Sequence, residues 1–132
     1  MAFELVWEPR GVYKRFYGHV TGDELMEAVT QVEGDPRFDD LRFVINDFLE
    51  ISGFAVTEDN VLMVSAIDNA ASTSNPNIII AIVAADLQIQ ALARLYAVAP
   101  LTVYPTEIFL TIHDARAWIL STTPEANFRK RY

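Results

Sequence analysis

Cysteine is absent from this chain of 132 residues. This absence excludes disulfides, thiolate metal sites, iron–sulfur clusters and a cysteine nucleophile. Long hydrophobic runs are also missing, since the longest, residues 78–85, has the length of a buried strand, whereas a membrane-spanning helix needs about 20 apolar residues. We therefore expect no membrane insertion.

Basic residues are few, and a secretion signal is lacking. Ten Lys and Arg residues oppose 18 Asp and Glu residues, which gives a net charge of −8. A field of this sign repels the phosphates of nucleic acids, so we expect no nucleic-acid partner. The amino-terminal sequence has neither the positive start nor the apolar stretch of a signal peptide, and together with the absence of cysteine this predicts a cytoplasmic location.

The hydrophobic content, 52% of the residues, is ample for one core. No repeat, low-complexity segment or linker divides the chain, so residues 1–121 are interpreted as a single domain. Residues 122–132, with the basic cluster Arg129–Lys130–Arg131, are interpreted as a solvated tail.

The chain opens with the pattern of a β-hairpin. Phe3, Leu5 and Trp7 alternate with Glu4, Val6 and Glu8, and Pro9 presets a turn. The second strand is predicted over residues 12–20. One of its faces carries Val12, Phe16 and Val20.

Helices and strands then alternate. Four residues with short polar side chains predict helix starts: Thr21, Thr57, Asp86 and Thr111. Strands are predicted at residues 41–48, 78–84 and 107–110. The unbroken apolar run of residues 78–84 is typical of a strand covered on both faces, so we place it in the middle of the sheet.

The predicted fold is therefore α/β: an N-terminal β-hairpin followed by αβαβαβα. This order predicts a mixed, mainly parallel sheet of about five strands, with helices packed on it.

The sequence lacks known motifs for phosphate binding, catalysis and metal binding. The five glycines are too scattered for a phosphate-binding loop, and the only histidines are His19 and His113. Metal-ligand spacing is also absent, and Asp39–Asp40, the nearest candidate, is typical of a solvated loop. We therefore predict no cofactor, no metal and no catalytic residue.

Position in the fold indicates where a ligand or partner would bind. In open α/β sheets this happens at the carboxyl ends of the parallel strands. Asp47, Ser52, Thr57 and Asp86 are predicted on that rim, with residues 50–57 as a loop. Two of them have a purely structural interpretation as well: Thr57 as the cap of a helix, and Asp47 as a carboxylate that fixes the following loop.

Five motifs carry a resemblance to a known family. They are VTGDEL at residues 20–25, DPRF at 35–38, NDF at 46–48, AIVA at 81–84 and ARAW at 115–118. Together they resemble the SpoIIAA-like, STAS-related bacterial proteins over nearly the whole chain. The resemblance implies a four- or five-stranded sheet with helices, no enzymatic activity, and action through protein contacts.

The resemblance also bears on regulation. In the anti-sigma-factor antagonists of this family, a serine in an Asp-Ser-Ser-Gly stretch at the start of a helix is phosphorylated to switch partner binding. The comparable stretch here is Phe-Ala-Val-Thr-Glu at residues 54–58, where Thr57 is the only hydroxyl.

Three classes of function remain open at this point. The leading one is a non-catalytic interaction or regulatory module with an unknown protein partner, and self-association through a strand edge or an apolar helix face is compatible with it. The second is binding of a small apolar ligand or lipid, because STAS folds resemble CRAL-TRIO domains and Phe48, Phe54 and Met63 are predicted near the rim. The third, an enzyme, would require an unrecognised pair such as His19 with Asp47.

We predict that Thr57 is not phosphorylated, because Glu58 and Asp59 beside it would repel the added negative charge. Intact-mass analysis of the protein purified from its native cells should show no phosphate on Thr57. Detection of phospho-Thr57 would contradict this prediction.

Overall fold

Strands and helices alternate after an initial hairpin in the computed structural model, which describes residues 2–123. The strands are β1 (Phe3–Glu8), β2 (Gly11–Thr21), β3 (Phe43–Ala55), β4 (Ile79–Val83) and β5 (Thr106–Phe109); the helices are α1 (Gly22–Glu33), α2 (Glu58–Ala71), α3 (Leu87–Val98) and α4 (Ile112–Thr122). A 3₁₀ turn, Pro36–Asp40, precedes β3. The predicted hairpin followed by αβαβαβα is confirmed.

The five strands form one mixed sheet in the order β1-β2-β3-β4-β5. β1 pairs with β2 in antiparallel orientation, and the other neighbours are parallel. β3 is therefore the middle strand, so the placement of residues 78–84 at the middle was wrong by one position. β4 is nevertheless an interior strand with both faces covered, as its unbroken apolar sequence indicates.

β3 is longer than the sequence predicts. It begins at Phe43 and continues to Ala55, so most of the segment predicted as a loop, residues 50–57, is strand. The physical reason is β2, which pairs with β3 up to Thr21 through two register shifts. Gly53 pairs with His19 in this segment, and a Cβ atom at Gly53 would lie 2.5 Å from the Nδ1 atom of the exposed histidine ring.

The larger core lies on one face of the sheet, beneath α1, α2 and α3, and a smaller core lies beneath α4 on the other face. Val12, Phe16 and Val20 of β2 are fully buried in the larger core, as predicted. The ring of Phe16 stacks on Phe48 of β3, with 4.6 Å between the ring centroids.

The helix starts follow the predicted caps. The Thr21 hydroxyl accepts a hydrogen bond from the backbone N–H of Glu24 at 3.2 Å, and the Glu24 carboxylate accepts one from the backbone N–H of Thr21 at 3.0 Å. Thr57, Asp86 and Thr111 cap α2, α3 and α4. The last helix ends at Thr122, one residue beyond the domain boundary predicted at 121, and the basic cluster of the tail lies outside the described residues. No helix within residues 2–123 has the length and apolar character to cross a bilayer.

We predict that Phe16→Ala lowers the free energy of unfolding by about 3–5 kcal/mol, because it removes a fully buried ring and leaves a cavity. Urea unfolding measures the change. Val6→Ala on the edge strand, where Val6 is 44% exposed, is the control and should cost less than about 1 kcal/mol. Equal effects of the two substitutions would contradict this account of the core.

Candidate functional site

A groove lies where β3 extends past its neighbour. β4 ends at Val83, which pairs with Asp47, whereas β3 continues to Ala55 and pairs there, among residues 2–123, with β2 alone. One edge of β3 is therefore open after Asp47. The space beside this edge, about 360 Å³, is lined by residues 48, 49 and 51–54 of β3 and by residues 85, 86, 88 and 89 around the start of α3. We call it the carboxyl-edge groove.

Two of the four predicted rim residues lie in the carboxyl-edge groove. Ser52 is exposed on β3, and Asp86 is exposed opposite it at the start of α3. The Asp86 carboxylate accepts hydrogen bonds from the backbone N–H groups of Gln88 and Ile89, at 2.8 and 3.1 Å. Thr57 is exposed at the start of α2 and does not line the groove.

Asp47 does not lie on the rim. It is only 2% exposed, and its carboxylate accepts hydrogen bonds from the hydroxyl of Tyr13 and from the backbone N–H of Leu49. The structural interpretation of Asp47 is therefore correct: its side chain fixes the segment that follows. Burial and the hydrogen bond to Asp47 raise the pKa of the Tyr13 hydroxyl.

The pair proposed for an enzyme is not formed. No hydrogen bond or ion pair joins the exposed His19 to Asp47, whose carboxylate already binds Tyr13 and the backbone. In addition, no group of three or more potential metal-ligating His, Asp and Glu side chains occurs in the part of the chain that the structure describes.

A second space, of about 100 Å³, lies inside the larger core between the sheet and the helices α1, α2 and α3. We call it the internal cavity. Its walls are mainly aromatic and β-branched side chains, among them Phe38, Phe48, Phe54, Val44, Ile80 and Ile82. Met63, which was predicted near the rim with Phe48 and Phe54, is instead 57% exposed on α2.

Polar side chains from two strands and three helices reach the internal cavity. Lys14 of β2 and Asn46 of β3 come from the sheet and are direct register partners. Glu33, Asp68 and Tyr96 come from α1, α2 and α3, respectively. The Tyr96 hydroxyl donates a hydrogen bond of 2.5 Å to Asp68.

The two sheet residues of this cluster lack protein partners. Lys14 is 6% exposed, and its Nζ atom forms no hydrogen bond or ion pair within residues 2–123. The side-chain amide of the half-buried Asn46 likewise bonds to none of these residues. Two adjacent donors therefore face the cavity without acceptors from the described chain.

The apolar surroundings shift the pKa values of Lys14, Glu33 and Tyr96. Burial lowers the pKa of the Lys14 ammonium, although the charges of Asp68 and Glu33 act in the opposite direction. Burial, and then the hydrogen bond and charge of Asp68, raise the pKa of Glu33 to about 9. Glu33 is therefore protonated at neutral pH, and Asp68 is its acidic neighbour. The pKa of the Tyr96 hydroxyl is also raised, first by burial and then by Asp68.

Sequence reasoning missed this cluster. One indication was available: Lys14 stands between Val12 and Phe16 at the even positions that form the buried face of β2. A lysine on a buried strand face is rare and usually paired. Asn46 comes from the neighbouring strand and the remaining members from three different helices, and no spacing in the sequence relates them.

Comparisons with known proteins give the fold. No family model and no curated protein matches this sequence. Solved structures do match. One is the anti-sigma factor antagonist SpoIIAA in its unphosphorylated form, with a TM-score of 0.61, 8% sequence identity, and coverage of 92% of this chain and 99% of that one.

Another match is the Bacillus cell fate determinant SpoIIAA in its phosphorylated form. Its TM-score is 0.60 at 11% identity, over 89% of this chain and 99% of that one. The chain thus has the SpoIIAA-like α/β fold that its motifs predict. At these identities the likeness concerns the fold alone.

We predict that Glu33→Gln stabilises the protein increasingly as the pH rises. The pKa of Glu33 is about 9 in the folded protein and near 4.5 in the unfolded chain, so folding favours the protonated form. This contribution is complete below pH 4.5 and is lost as the pH rises towards 9. Glutamine does not titrate, so the variant does not lose stability over this pH range.

Urea unfolding at pH 4, 6 and 8 measures this difference. The variant and the wild-type protein should be similar at pH 4 and should separate by pH 8. Glu27→Gln, on the exposed face of the same helix, is the matched control and should follow the wild type. A Glu33→Gln difference that does not change with pH would contradict the assignment.

Proposed function

We propose that this protein is a non-catalytic regulatory module that binds a protein partner at the carboxyl-edge groove. The observation that carries the proposal is the open edge of β3 after Asp47, beside a groove that contains Ser52 and Asp86. The SpoIIAA-like fold supports it, because one similar structure is that of an anti-sigma factor antagonist.

The groove offers both kinds of contact that a protein partner uses. An extended segment of the partner can pair with the backbone of β3 beyond Leu49, whose own N–H is bonded to Asp47, as in other cases of strand addition. Apolar side chains flank the groove: Leu49 is 40% exposed, and Leu87 at the start of α3 is 77% exposed. Such residues form the centres of interfaces, with polar groups such as Ser52 and Asp86 around them.

Control of this module by phosphorylation of Thr57 is not part of the proposal. The Thr57 hydroxyl accepts a hydrogen bond from the backbone N–H of Asn60 at 3.1 Å and lies 2.9 Å from its side-chain oxygen. A phosphate would disrupt this cap beside Glu58 and Asp59. Among the described residues that line the groove, Ser52 carries the one hydroxyl group.

The net charge of this chain indicates which class of partner it binds. With a net charge of −8, a protein surface is favoured over nucleic acid or an anionic membrane. Self-association through a strand edge and a cytoplasmic location stay predictions.

A second candidate function is binding of a small apolar ligand. The internal cavity favours it, because Phe48 and Phe54 line this mainly apolar space as well as packing against one another. Partner binding at the groove and ligand binding in the cavity use different spaces, so each can be tested by itself.

We predict that Ser52→Arg abolishes capture of a stoichiometric partner from native lysate, because the larger charged side chain fills the groove. Gln31→Arg, exposed on α1 and outside the groove, introduces the same side chain as a control. Wild type and Gln31→Arg should retain the same partner. Recovery of the wild-type protein alone under all conditions, or equal capture by both variants, would contradict the proposal.

A further inference from the structure

Lys14 is the most unusual residue of the core. It occupies the middle of β2, two residues from Val12 and two from Phe16, and both neighbours are fully buried. The side chain lines the internal cavity with its amino group unpartnered within residues 2–123. The described chain therefore places no acceptor on this amino group, and the space beside it can receive a group that carries one.

We propose that the internal cavity binds a small apolar molecule carrying a carbonyl oxygen, and that this oxygen accepts a hydrogen bond from Nζ of Lys14. The proposal deepens the second candidate function, on which it rests, by naming the anchor and the chemical class of the ligand.

The donors are placed side by side for one acceptor. Lys14 and Asn46 are register partners on adjacent parallel strands, and both line the cavity. A carbonyl oxygen has two lone pairs and can accept from both side chains at once. The rest of the wall is mainly apolar and suits the hydrocarbon part of the same molecule.

The charges around the cavity favour a neutral ligand. Glu33 and Asp68 enter from α1 and α2, and the phenols of Tyr96 and Tyr104 complete the polar wall. Asp68 and Glu33 both interact electrostatically with Lys14. Glu33 is uncharged when protonated, so a ligand carboxylate would be repelled by Asp68, whereas a ketone, aldehyde or ester carbonyl adds no charge.

The volume sets the size of the ligand. The cavity of about 100 Å³ is somewhat smaller than an engineered apolar cavity of about 150 Å³ that binds benzene. A single ring, or a chain of similar size, is therefore the expected scale. Cyclohexanone is a suitable probe, and methylenecyclohexane is its matched control because a CH₂ group replaces the oxygen.

The test is an NMR titration of the full chain with each probe, following the methyl groups of Val44, Ile80 and Ile82 in the cavity wall. Wild-type protein should bind cyclohexanone up to about tenfold more tightly than methylenecyclohexane, the effect of one net hydrogen bond. In Lys14→Met, whose side chain is one atom shorter and has no donor, only Asn46 can still donate, and this preference should fall. Arg94→Met, exposed on α3, should behave like the wild type.

Two outcomes would overturn the inference. They differ in whether they also contradict the apolar-ligand function on which it rests. Equal binding of both probes to wild-type protein would remove the carbonyl anchor and leave the apolar-ligand function standing. Binding of neither probe would remove both. The comparison of probes on wild-type protein decides between these outcomes even if Lys14→Met does not fold.

Discussion

The parallel pairing of β2 with β3 is the constraint on which the rest of this structure depends. β2 has a neighbour on each side, and its register with β3 places Val12, Phe16 and Val20 under the three helices. The same register places Lys14 beside Asn46 in the internal cavity. A slip of one residue would turn every one of these side chains to the other face of the sheet. The core and the buried polar cluster are thus set by a single alignment.

Local chemistry was sufficient to predict the elements but not their extent. The caps at Thr21 and Thr57 depend on hydrogen bonds between residues three apart, so the sequence alone indicates where α1 and α2 begin. The length of β3 depends on a partner strand far away along the chain, which is why residues 50–55 were predicted as loop. Asp47 was misplaced for the same reason: the hydroxyl that it binds belongs to Tyr13 on the neighbouring strand.

The two candidate sites differ in how well the sequence predicts them. Ser52 and Asp86 follow from a topological rule, because ends of parallel strands meet at one edge of the sheet. The cluster at the internal cavity obeys no such rule, since Glu33, Asp68 and Tyr96 converge only after three helices have packed on the sheet. Three apolar side chains, Phe48, Phe54 and Ile89, line both the groove and the cavity. The proposed partner and ligand would therefore contact the same three side chains, which physically connects the two proposals.

The internal cavity also determines how the molecule responds to compression. The volume change on unfolding scales with the void volume that unfolding eliminates, and a water-free space of about 100 Å³ per molecule corresponds to at most about 60 mL per mole. Hydrostatic pressure acts on this excess volume and favours the states that eliminate it. A molecule seated beside Lys14 would fill the space and make the protein less compressible. Sensitivity to pressure is thus a mechanical measure of how well the core under α1, α2 and α3 is filled.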